Sequence, residues 1–520
     1  MNIAILHCHF ERGGVTQVVE NHVRSLSESD AIGQIALVSG NRIGGLSADT
    51  RKRVTQVVAN DFDYDSGSPV AAAGNHQILY DRASDIASDV TKQLAAIGLT
   101  CQNTILHWHN HSLGKNTAAP AVVAKLASEG WRILLQIHDF AEDNRPQNYR
   151  DLISATGATS CQELDEYLYP LASQIHYATL TQSDADVLKR LGVSSQRTHC
   201  LPNTVVAASE QPPSHQESLE KVRDAFGLPS DARWSLYPVR GIRRKNVGEF
   251  LMLCRWMPET MHGGLTLCPA TEVEKRSYER WRQIGKACSP RAVFDAAHQP
   301  QITFAENLAA CDYVVSTSVA EGFGMAFMEP WLSDRGVIAR RLPTVTTDFE
   351  SMCVQLPQLY DEIPVVGKPD WIRERQSELI ATTEQAWSEV PDAFRPDFST
   401  AKTSTDSIDF AKLTPKRQIE VLERLSSDSG YETELRARSA DLVGWLNSQI
   451  ATELLDSNRD TIRNEFSTKR LGKQLESIYQ QLASTTLDKR TRGAEHAGSA
   501  IDLINSLRPF YPCRTEVIHE

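Results

Sequence analysis

The most informative part of the sequence is residues 321–329, which read EGFGMAFME and follow a short apolar run. Gly322 and Gly324 would let the backbone approach a ligand closely at a turn from a strand to a helix. If a helix begins near Gly324, its free amides suit phosphate or sugar oxygens, and Glu321 and Glu329 could face one ligand from two sides. The same pattern also fits a helix start with acidic capping residues.

A second segment, residues 237–246, reads YPVRGIRRKN and places four cationic side chains within six positions. We expect it at the carboxyl end of a strand, where a diphosphate commonly binds in α/β domains. Arginine offers bidentate contacts to phosphate oxygens, and lysine offers a compact charge. An exposed basic turn explains the same four residues equally well.

Eight of the fifteen histidines fall within the first 138 residues. On a strand, the two histidines of an HxH pattern point to the same face, which suits a metal ion. His7 and His9 form such a pattern, and His107, His109 and His111 form a longer one. A metal-dependent hydrolase that uses these histidines is therefore an alternative function. It would need further ligands at later strand ends, and the sequence offers no convincing set, so we expect no metal.

The first half of the chain predicts a doubly wound α/β domain. The apolar run at residues 3–8 ends in a loop with Gly13 and Gly14, and apolar residues then recur at the spacing of one helix face. Strand, glycine turn and helix form the opening unit of such a domain. Further strands are predicted at residues 35–39, 104–108, 132–138 and 176–180.

A polar stretch rich in Ser, Gln, Glu and Pro predicts a linker at residues 206–233. A second strand series follows, at residues 234–239, 265–268, 301–304, 313–316 and 337–339. We therefore predict two Rossmann-like domains with a ligand-binding cleft between them. The predicted parts are an N-terminal domain at 1–205, a second domain at 234–460 with a helical insertion at about 350–460, and a C-terminal helix with a tail at 461–520.

Composition excludes several classes of protein. The 520 residues are 41% hydrophobic and 23% charged, which is ordinary globular composition and suggests about three domains. A net charge of −12 disfavours non-specific binding to nucleic acid or to an anionic membrane surface. The ten cysteines form no CxxC pair, and no apolar run approaches the ~18 residues that span a bilayer. The start does not read as a signal peptide, so we expect a cytoplasmic protein.

These segments together resemble the retaining glycosyltransferases of family 4, which have the GT-B architecture of two facing Rossmann-like domains. The EGFG…E element of that family is matched by Glu321 and Glu329, and its Arg…Lys pair, five positions apart, by Arg240 and Lys245. Three further segments match: the glycine pair at 13–14, the LPNT turn at 201–204, and residues 464–482, which resemble the last helix that returns to the N-terminal domain.

The resemblance implies a nucleotide sugar as the co-substrate and no cofactor. Arg240 and Lys245 would hold the diphosphate, assisted by the amides of Gly13 and Gly14, and Glu329 would hold the ribose hydroxyls. The cations would serve the leaving phosphate without a metal ion. The DFDYD run at residues 61–65, which offers the carboxylates of metal-dependent glycosyltransferases, is accordingly interpreted as an acidic turn.

The resemblance also implies how the sugar is held. Glu321 would orient it, and His138 would support it from the N-terminal domain. The amides that would assist belong to Gly322, Phe323, Gly324 and Met325. His109 and His111 would line the acceptor pocket, or else they cap the end of a strand.

The sequence departs from the family after Glu329, where RRLPTVTTDFE stands in place of a Gly-Gly…Glu element, and in the length of residues 350–460. Both departures leave the acceptor open. The acidic balance favours a small soluble acceptor.

Overall fold

The computed structural model describes residues 1–65, 76–207, 213–397, 406–488, 490–493 and 498–515. The chain divides into two compact units. Unit 1 contains residues 1–204, 387–397 and 466–508, and unit 2 contains residues 205–386, 398–465 and 509–520. The sequence analysis did not predict that residues 387–397 belong to unit 1.

Unit 1 is built on a parallel sheet of seven strands in the order β3-β2-β1-β4-β5-β6-β7. The strands are β1 Asn2–Leu6, β2 Ile35–Ser39, β3 Thr55–Val58, β4 Thr104–His109, β5 Arg132–Ile137, β6 Ile175–Thr179 and β7 Thr198–Cys200. The five predicted strands are all present. The strands β3 and β7 were missed because they lie at the sheet edges, where partial exposure removes the continuous apolar run.

Seven helices alternate with these strands. They are α1 Gly14–Leu26, α2 Ala48–Arg53, α3 His76–Ala96, α4 Ala119–Ser128, α5 Pro146–Thr156, α6 Cys161–Leu168 and α7 Gln182–Arg190. The strand, glycine turn and helix predicted at the start of the chain are confirmed by β1 and α1.

Unit 2 is built on a parallel sheet of six strands in the order β10-β9-β8-β11-β12-β13. The strands are β8 Arg233–Arg240, β9 Met261–Leu267, β10 Ala292–Val293, β11 Tyr313–Ser316, β12 Gly336–Arg340 and β13 Leu359–Tyr360. A separate antiparallel pair is formed by β14 Pro364–Val366 and β15 Ser407–Asp409.

The strand predicted at residues 301–304 is wrong. Thr303 instead caps a helix that begins at Phe304, and its side chain accepts a hydrogen bond from the amide of Glu306. The carboxylate of Glu306 accepts a hydrogen bond from the backbone amide of Thr303, which completes a capping box. This local hydrogen bonding outweighs the strand propensity of a short apolar run.

Ten helices complete the chain's path through unit 2 as the structure describes it. They are α8 His215–Phe226, α9 Val247–Trp256, α10 Glu272–Cys288, α11 Phe304–Ala310, α12 Pro343–Ser351, α13 Pro369–Ala386, α14 Pro415–Ser427, α15 Ser429–Arg438, α16 Ala440–Leu446 and α17 Thr452–Glu465. The predicted helical character of residues 350–460 is confirmed by α12 to α17, with β13, β14 and β15 interspersed.

The last two helices, α18 Thr468–Ala483 and α19 Ala500–Leu507, belong to unit 1. The apolar face of α18 joins the core formed by β1 and α1, where Leu475 and Tyr479 are fully buried with Ile3, Val19 and Val23. The helix predicted at residues 464–482 is therefore confirmed. No helix in the described part of the chain is long and apolar enough to cross a membrane.

A buried ion network ties three elements of unit 2 together. Arg340, at the end of β12, is 1% exposed and donates to Glu249 of α9 at 2.7 and 2.9 Å and to Asp409 of β15 at 2.9 Å. Tyr360 donates from its hydroxyl to Glu249 at 2.6 Å. Because burying charge is costly unless it is paired, this network requires all three charged partners.

We expect the variant Arg340→Met to lower the free energy of unfolding by about 3–5 kcal/mol, because Glu249 and Asp409 would remain buried without a cation. Urea unfolding monitored by circular dichroism measures the change. The control is Arg341→Met, which removes a partly exposed pair with Glu350 and should cost at most about 1 kcal/mol. Equal stability of the two variants would contradict the assignment.

Candidate active site

Two loops of unit 2 meet where the central strands β8 and β11 end. These strands pair in parallel, so the loops that follow them leave the same edge of the sheet. The hydroxyl of Tyr237 donates to the carbonyl of Lys245 at 3.0 Å and accepts from Ser318 Oγ at 2.8 Å. Thr317 Oγ1 also donates to the Lys245 carbonyl, at 2.9 Å. These bonds fix the basic loop after β8 against the loop after β11.

An ion pair joins the two loops directly. The Glu321 side chain, 8% exposed, receives Lys245 Nζ on one carboxylate oxygen and Arg244 Nη1 on the other at 3.1 Å. Lys245 and Glu321 lie 76 residues apart in the sequence. The structure therefore brings together the two segments that the sequence analysis singled out, and it does so through a contact that the sequence did not predict.

Burial and charge act on this pair in opposite directions. Burial raises the pKa of Glu321, but the cations of Lys245 and Arg244 outweigh it and hold that pKa well below its usual range. Burial lowers the pKa of Lys245, and Glu321 opposes that change. The carboxylate therefore stays ionised at neutral pH and fixes both cations in place.

Arg240 differs from the other cations of its loop. It is the exposed last residue of β8, and its guanidinium forms no ion pair or hydrogen bond with the described residues. Arg243, by contrast, donates to Glu274 at 2.8 Å and to the carbonyl of Thr515 at 3.0 Å. Arg240 is thus the cation of this loop that can bind an external anion without first breaking an internal contact.

The prediction of a regular α-helix beginning near Gly324 is wrong. Two short 3₁₀ helices, Met325–Phe327 and Glu329–Ser333, replace a regular α-helix. Pro330 is the physical reason, because it has no amide hydrogen and a continuous α-helix from Gly324 would require one at that position. Glu329 therefore lies at the first position of the second 3₁₀ helix instead of deep in a single helix.

Glycine is required at position 324 of the EGFG turn. The φ angle of Gly324 is +86°, and a Cβ there would lie 2.9 Å from Phe327 and Val345. The backbone amides of Gly322 and Gly324 donate to no acceptor among the described residues. Phe323 is buried and packs edge-on against Phe349, with ring centroids 5.3 Å apart. The turn is rigid and keeps amides available.

Glu329 has the opposite electrostatic setting to Glu321. Its carboxylate has no ion pair or hydrogen bond among the described residues, and burial alone raises its pKa from 4.5 to about 7. A carboxylate that is largely withdrawn from water and lacks donors is a costly feature in a folded protein. It becomes favourable only when an outside group supplies hydrogen bonds.

In unit 1, the glycine pair stands at the start of α1. Gly13 caps the helix in an extended conformation and Gly14 is its first residue. A Cβ on Gly14 would meet no atom within 4 Å, so the space above the helix start is open. No acidic side chain occupies the first turn of α1, so its positive end remains available to an anion.

His138 follows β5 and is 7% exposed. Its ring nitrogen Nε2 lies 2.8 Å from Nδ1 of His109, and its backbone amide donates to Asn110 Oδ1 at 2.7 Å. Burial lowers the pKa of His138 to about 4, so the ring is neutral at pH 7. His138 can therefore act as a neutral hydrogen-bonding group but not as a charge.

The structure places His109 and His111 in the interior of unit 1, and their predicted role in an acceptor pocket stays a prediction. Both are at least 99% buried, and His111 Nε2 lies 3.0 Å from the carbonyl oxygen of Leu168. His109 contacts His138.

The metal alternative is not supported by the ring geometry. His22, His107 and His109 form a buried group in unit 1, but both ring nitrogens of His107 are occupied, by Tyr479 at 2.8 Å and Gln136 at 2.9 Å. The rings of His107 and His109 are stacked, with centroids 4.5 Å apart and planes 22° apart. Lone pairs in nearly parallel planes do not converge on one ion. The sequence analysis did not identify His22 as a neighbour of these histidines, because it lies on the helix α1 and outside the HxH patterns.

The carboxylates of residues 61–65 are held by arginines. Asp61 and Asp65 both accept from Arg82, at 2.5 and 2.8 Å. Asp63 accepts from Arg42 at 3.0 Å. A segment whose carboxylates are already neutralised in this way fits the interpretation as an acidic turn.

Comparisons with known proteins agree with this geometry. No protein-family model matches the sequence. The chain is 26% identical over 428 residues to mannosylglucosyl-3-phosphoglycerate synthase of Petrotoga mobilis, with 80% of each chain covered. Sucrose-phosphate synthase from Thermosynechococcus elongatus has a similar structure, with a TM-score of 0.52 and 14% identity over 93% of this chain and 99% of that chain. HepE of Anabaena in complex with UDP also has a similar structure, with a TM-score of 0.51 and 12% identity over 92% of this chain and 100% of that chain.

The structural similarities confirm the GT-B fold. Together with the sequence similarity, they confirm the resemblance to glycosyltransferases of family 4, and nothing in them favours a hydrolase.

We expect Glu329→Gln to stabilise the protein at pH 8 by about 1–3 kcal/mol and to change little at pH 4.5. The folded-state pKa of about 7 exceeds the ordinary value of 4.5, so the folded carboxyl keeps its proton while the unfolded one releases it. The free energy of unfolding therefore falls as pH rises from 4.5 to 7, and the penalty is complete above pH 7. Urea titrations at both pH values measure it.

The matched control is Glu321→Gln, whose effect should have the opposite sign. Its pKa is depressed, so its contribution to stability is present above pH 4.5 and is lost as the pH falls. If both variants destabilise equally at pH 8, the electrostatic distinction between the two glutamates is refuted.

Proposed function

We propose that this protein is a retaining glycosyltransferase that moves a sugar from a nucleotide-diphosphate sugar to an acceptor hydroxyl. The observation that carries the proposal is the position of Arg240, a cation that pairs with none of the described residues and lies at the end of β8 beside the fixed group of Lys245, Arg244 and Glu321. Glycosyl transfer leaves negative charge on the departing diphosphate. Preorganised positive charge at that point is the most effective way to stabilise the transition state.

Different residues of unit 2 bind the diphosphate, the ribose and the sugar of the donor. Arg240 binds the diphosphate through its exposed guanidinium, whereas Lys245 binds it as an ammonium held by Glu321. Glu329 accepts hydrogen bonds from the ribose hydroxyls, which supply donors that its half-buried carboxylate does not find among the described residues. The amides of Gly322 and Gly324, together with those of Phe323 and Met325, orient the sugar oxygens with Glu321.

The groups of unit 1 that this proposal assigns to the donor are neutral. His138 contacts the donor sugar, and the amides of Gly13 and Gly14 at the start of α1 contact the diphosphate. No cofactor takes part, and fixed cations rather than a metal ion serve the leaving group. The acceptor attacks from the face that the diphosphate leaves, which retains the anomeric configuration. The protein acts in the cytoplasm.

The acceptor in this proposal is a small anionic molecule. The Petrotoga relative is named for a product that contains 3-phosphoglycerate, which carries phosphate and carboxylate groups. In unit 1, Lys115 follows β4, forms no ion pair with the described residues and lies 6.0 Å from the ring centroid of Tyr64. Burial, together with Arg145, lowers the pKa of Lys115. A partly desolvated ammonium of this kind suits an anion.

We expect a nucleoside diphosphate to bind the protein in the presence of a chelator, and Arg240→Ala to weaken that binding by about 1.5–3 kcal/mol. Calorimetry with UDP, GDP and ADP measures the effect and identifies the base. Arg243→Ala is the control, because Arg243 is occupied by Glu274 and should leave the affinity unchanged. Equal affinity of the wild type and Arg240→Ala, or binding only with a divalent ion, would refute the assignment.

We expect Lys115→Met to raise KM for a phosphorylated or carboxylated acceptor roughly tenfold, because one charge-assisted contact is lost. The KM for the nucleotide sugar should stay within about twofold. Lys125→Met is the control, because Lys125 pairs with Glu129 on α4. Initial rates against each substrate decide the matter, and an unchanged acceptor KM would exclude Lys115 from the acceptor site.

A further inference from the structure

Two consecutive residues at the end of β4 hold both the backbone and the ring of His138. The strands β4 and β5 pair in parallel with His109 opposite Gln136, so the residues after them emerge side by side. Asn110, at a φ of +56°, accepts from the backbone amide of His138 at 2.7 Å through its side-chain oxygen. The ring of His109 then reaches His138, with Nδ1 and Nε2 2.8 Å apart.

The ring of His109 is itself immobile. It is completely buried and stacks on His107 with ring centroids 4.5 Å apart. The His22 ring packs against the His109 ring with centroids 5.3 Å apart, and His7 Nδ1 lies 3.1 Å from the His109 carbonyl oxygen. A ring enclosed in this way has one orientation. It can transmit that orientation to His138 through their hydrogen bond.

The surroundings of His109 Nε2 determine whether His109 or His138 donates the hydrogen bond between the two rings. Nε2 of His109 is buried and has no hydrogen-bond partner among the described residues. A proton there would be a buried donor without an acceptor, which native proteins rarely contain. The proton of His109 therefore lies on Nδ1 and is donated to Nε2 of His138. A neutral His138 must then carry its own proton on Nδ1, which forms no hydrogen bond with the described residues.

We propose that His109 is a positioning residue that holds His138 in the Nδ1–H tautomer, so that His138 presents a hydrogen-bond donor to an oxygen of the donor sugar. This inference rests on the proposed function, in which His138 contacts that sugar. The chemistry is specific: in the opposite tautomer the same nitrogen could only accept a bond. A sugar oxygen that accepts from His138 is therefore favoured over a hydroxyl that must donate to it.

The tautomer can be measured without any transferase activity. In protein labelled with ¹⁵N-histidine, long-range proton–nitrogen spectra at pH 7.5 distinguish Nδ1–H from Nε2–H rings, and His138→Asn assigns the His138 signal. We expect Nδ1–H for His138 in the wild type and loss of that pattern in His109→Leu. Observation of the Nε2–H tautomer for His138 in the wild type would overturn the proposal.

Kinetics test the consequence for transfer. We expect His109→Leu to lower kcat roughly tenfold while KM for the nucleotide sugar changes less than about twofold. His109→Asn, whose amide places a donor near the position of Nδ1, should recover most of kcat. His22→Leu is the control, since it alters the same stack without a bond to His138. If His109→Leu folds and keeps the wild-type kcat, or His109→Asn is as slow as His109→Leu, the positioning role is refuted.

The two sets of measurements separate this proposal from the function on which it rests. If the wild type transfers no sugar, the proposed function fails, and the spectra still decide whether His109 sets the tautomer of His138. If the wild type is active but the spectra show the Nε2–H tautomer, only the positioning role fails.

Discussion

The buried ion pair between Glu321 and Lys245 is the contact on which the candidate donor site depends. It joins loops that follow two neighbouring strands of one sheet, and the hydroxyls of Tyr237 and Thr317 bind the same loop through the Lys245 carbonyl. Neither charge could be buried alone, because each would lose its hydration without compensation. Mutual burial therefore fixes the loops, and with them the position of Arg240. The Arg240 side chain itself is exposed, so an anion can reach its guanidinium.

Stability and function make opposite demands on the two glutamates. Glu321 is stabilised by cations in the free protein, so its charge is part of the fold as well as of the site. Glu329 has no such partner among the residues that the structure describes, and burial raises its pKa, which is a cost to folding at neutral pH. A cost of this kind is expected where a side chain is arranged for a ligand instead of for the protein itself. The contrast between them supports a binding role for Glu329 more strongly than the motif spacing alone.

How much the sequence predicts depends on whether the determining contact is local. The buried strands β2 and β11 were predicted at their observed bounds, because a parallel strand covered on both faces is a plain apolar run. The strand predicted at residues 301–304 was wrong because a capping box at Thr303 starts a helix there. The α-helix predicted from Gly324 was wrong because Pro330 interrupts it. The contacts of Glu321 and His22 join distant parts of the sequence, so no pattern of spacing could have shown them.

The groups proposed to bind the donor differ in charge between the two units. The strand ends of unit 2 hold cations whose charge is fixed by Glu321 or left free on Arg240. The pKa values of His109 and His138 in unit 1 are lowered by burial, so both rings are neutral at pH 7. In the proposed transfer, one product is strongly anionic and the transferred sugar is not. Positive charge beside the sugar would oppose the cationic character that develops at its anomeric carbon, whereas the same charge beside the diphosphate stabilises its departure.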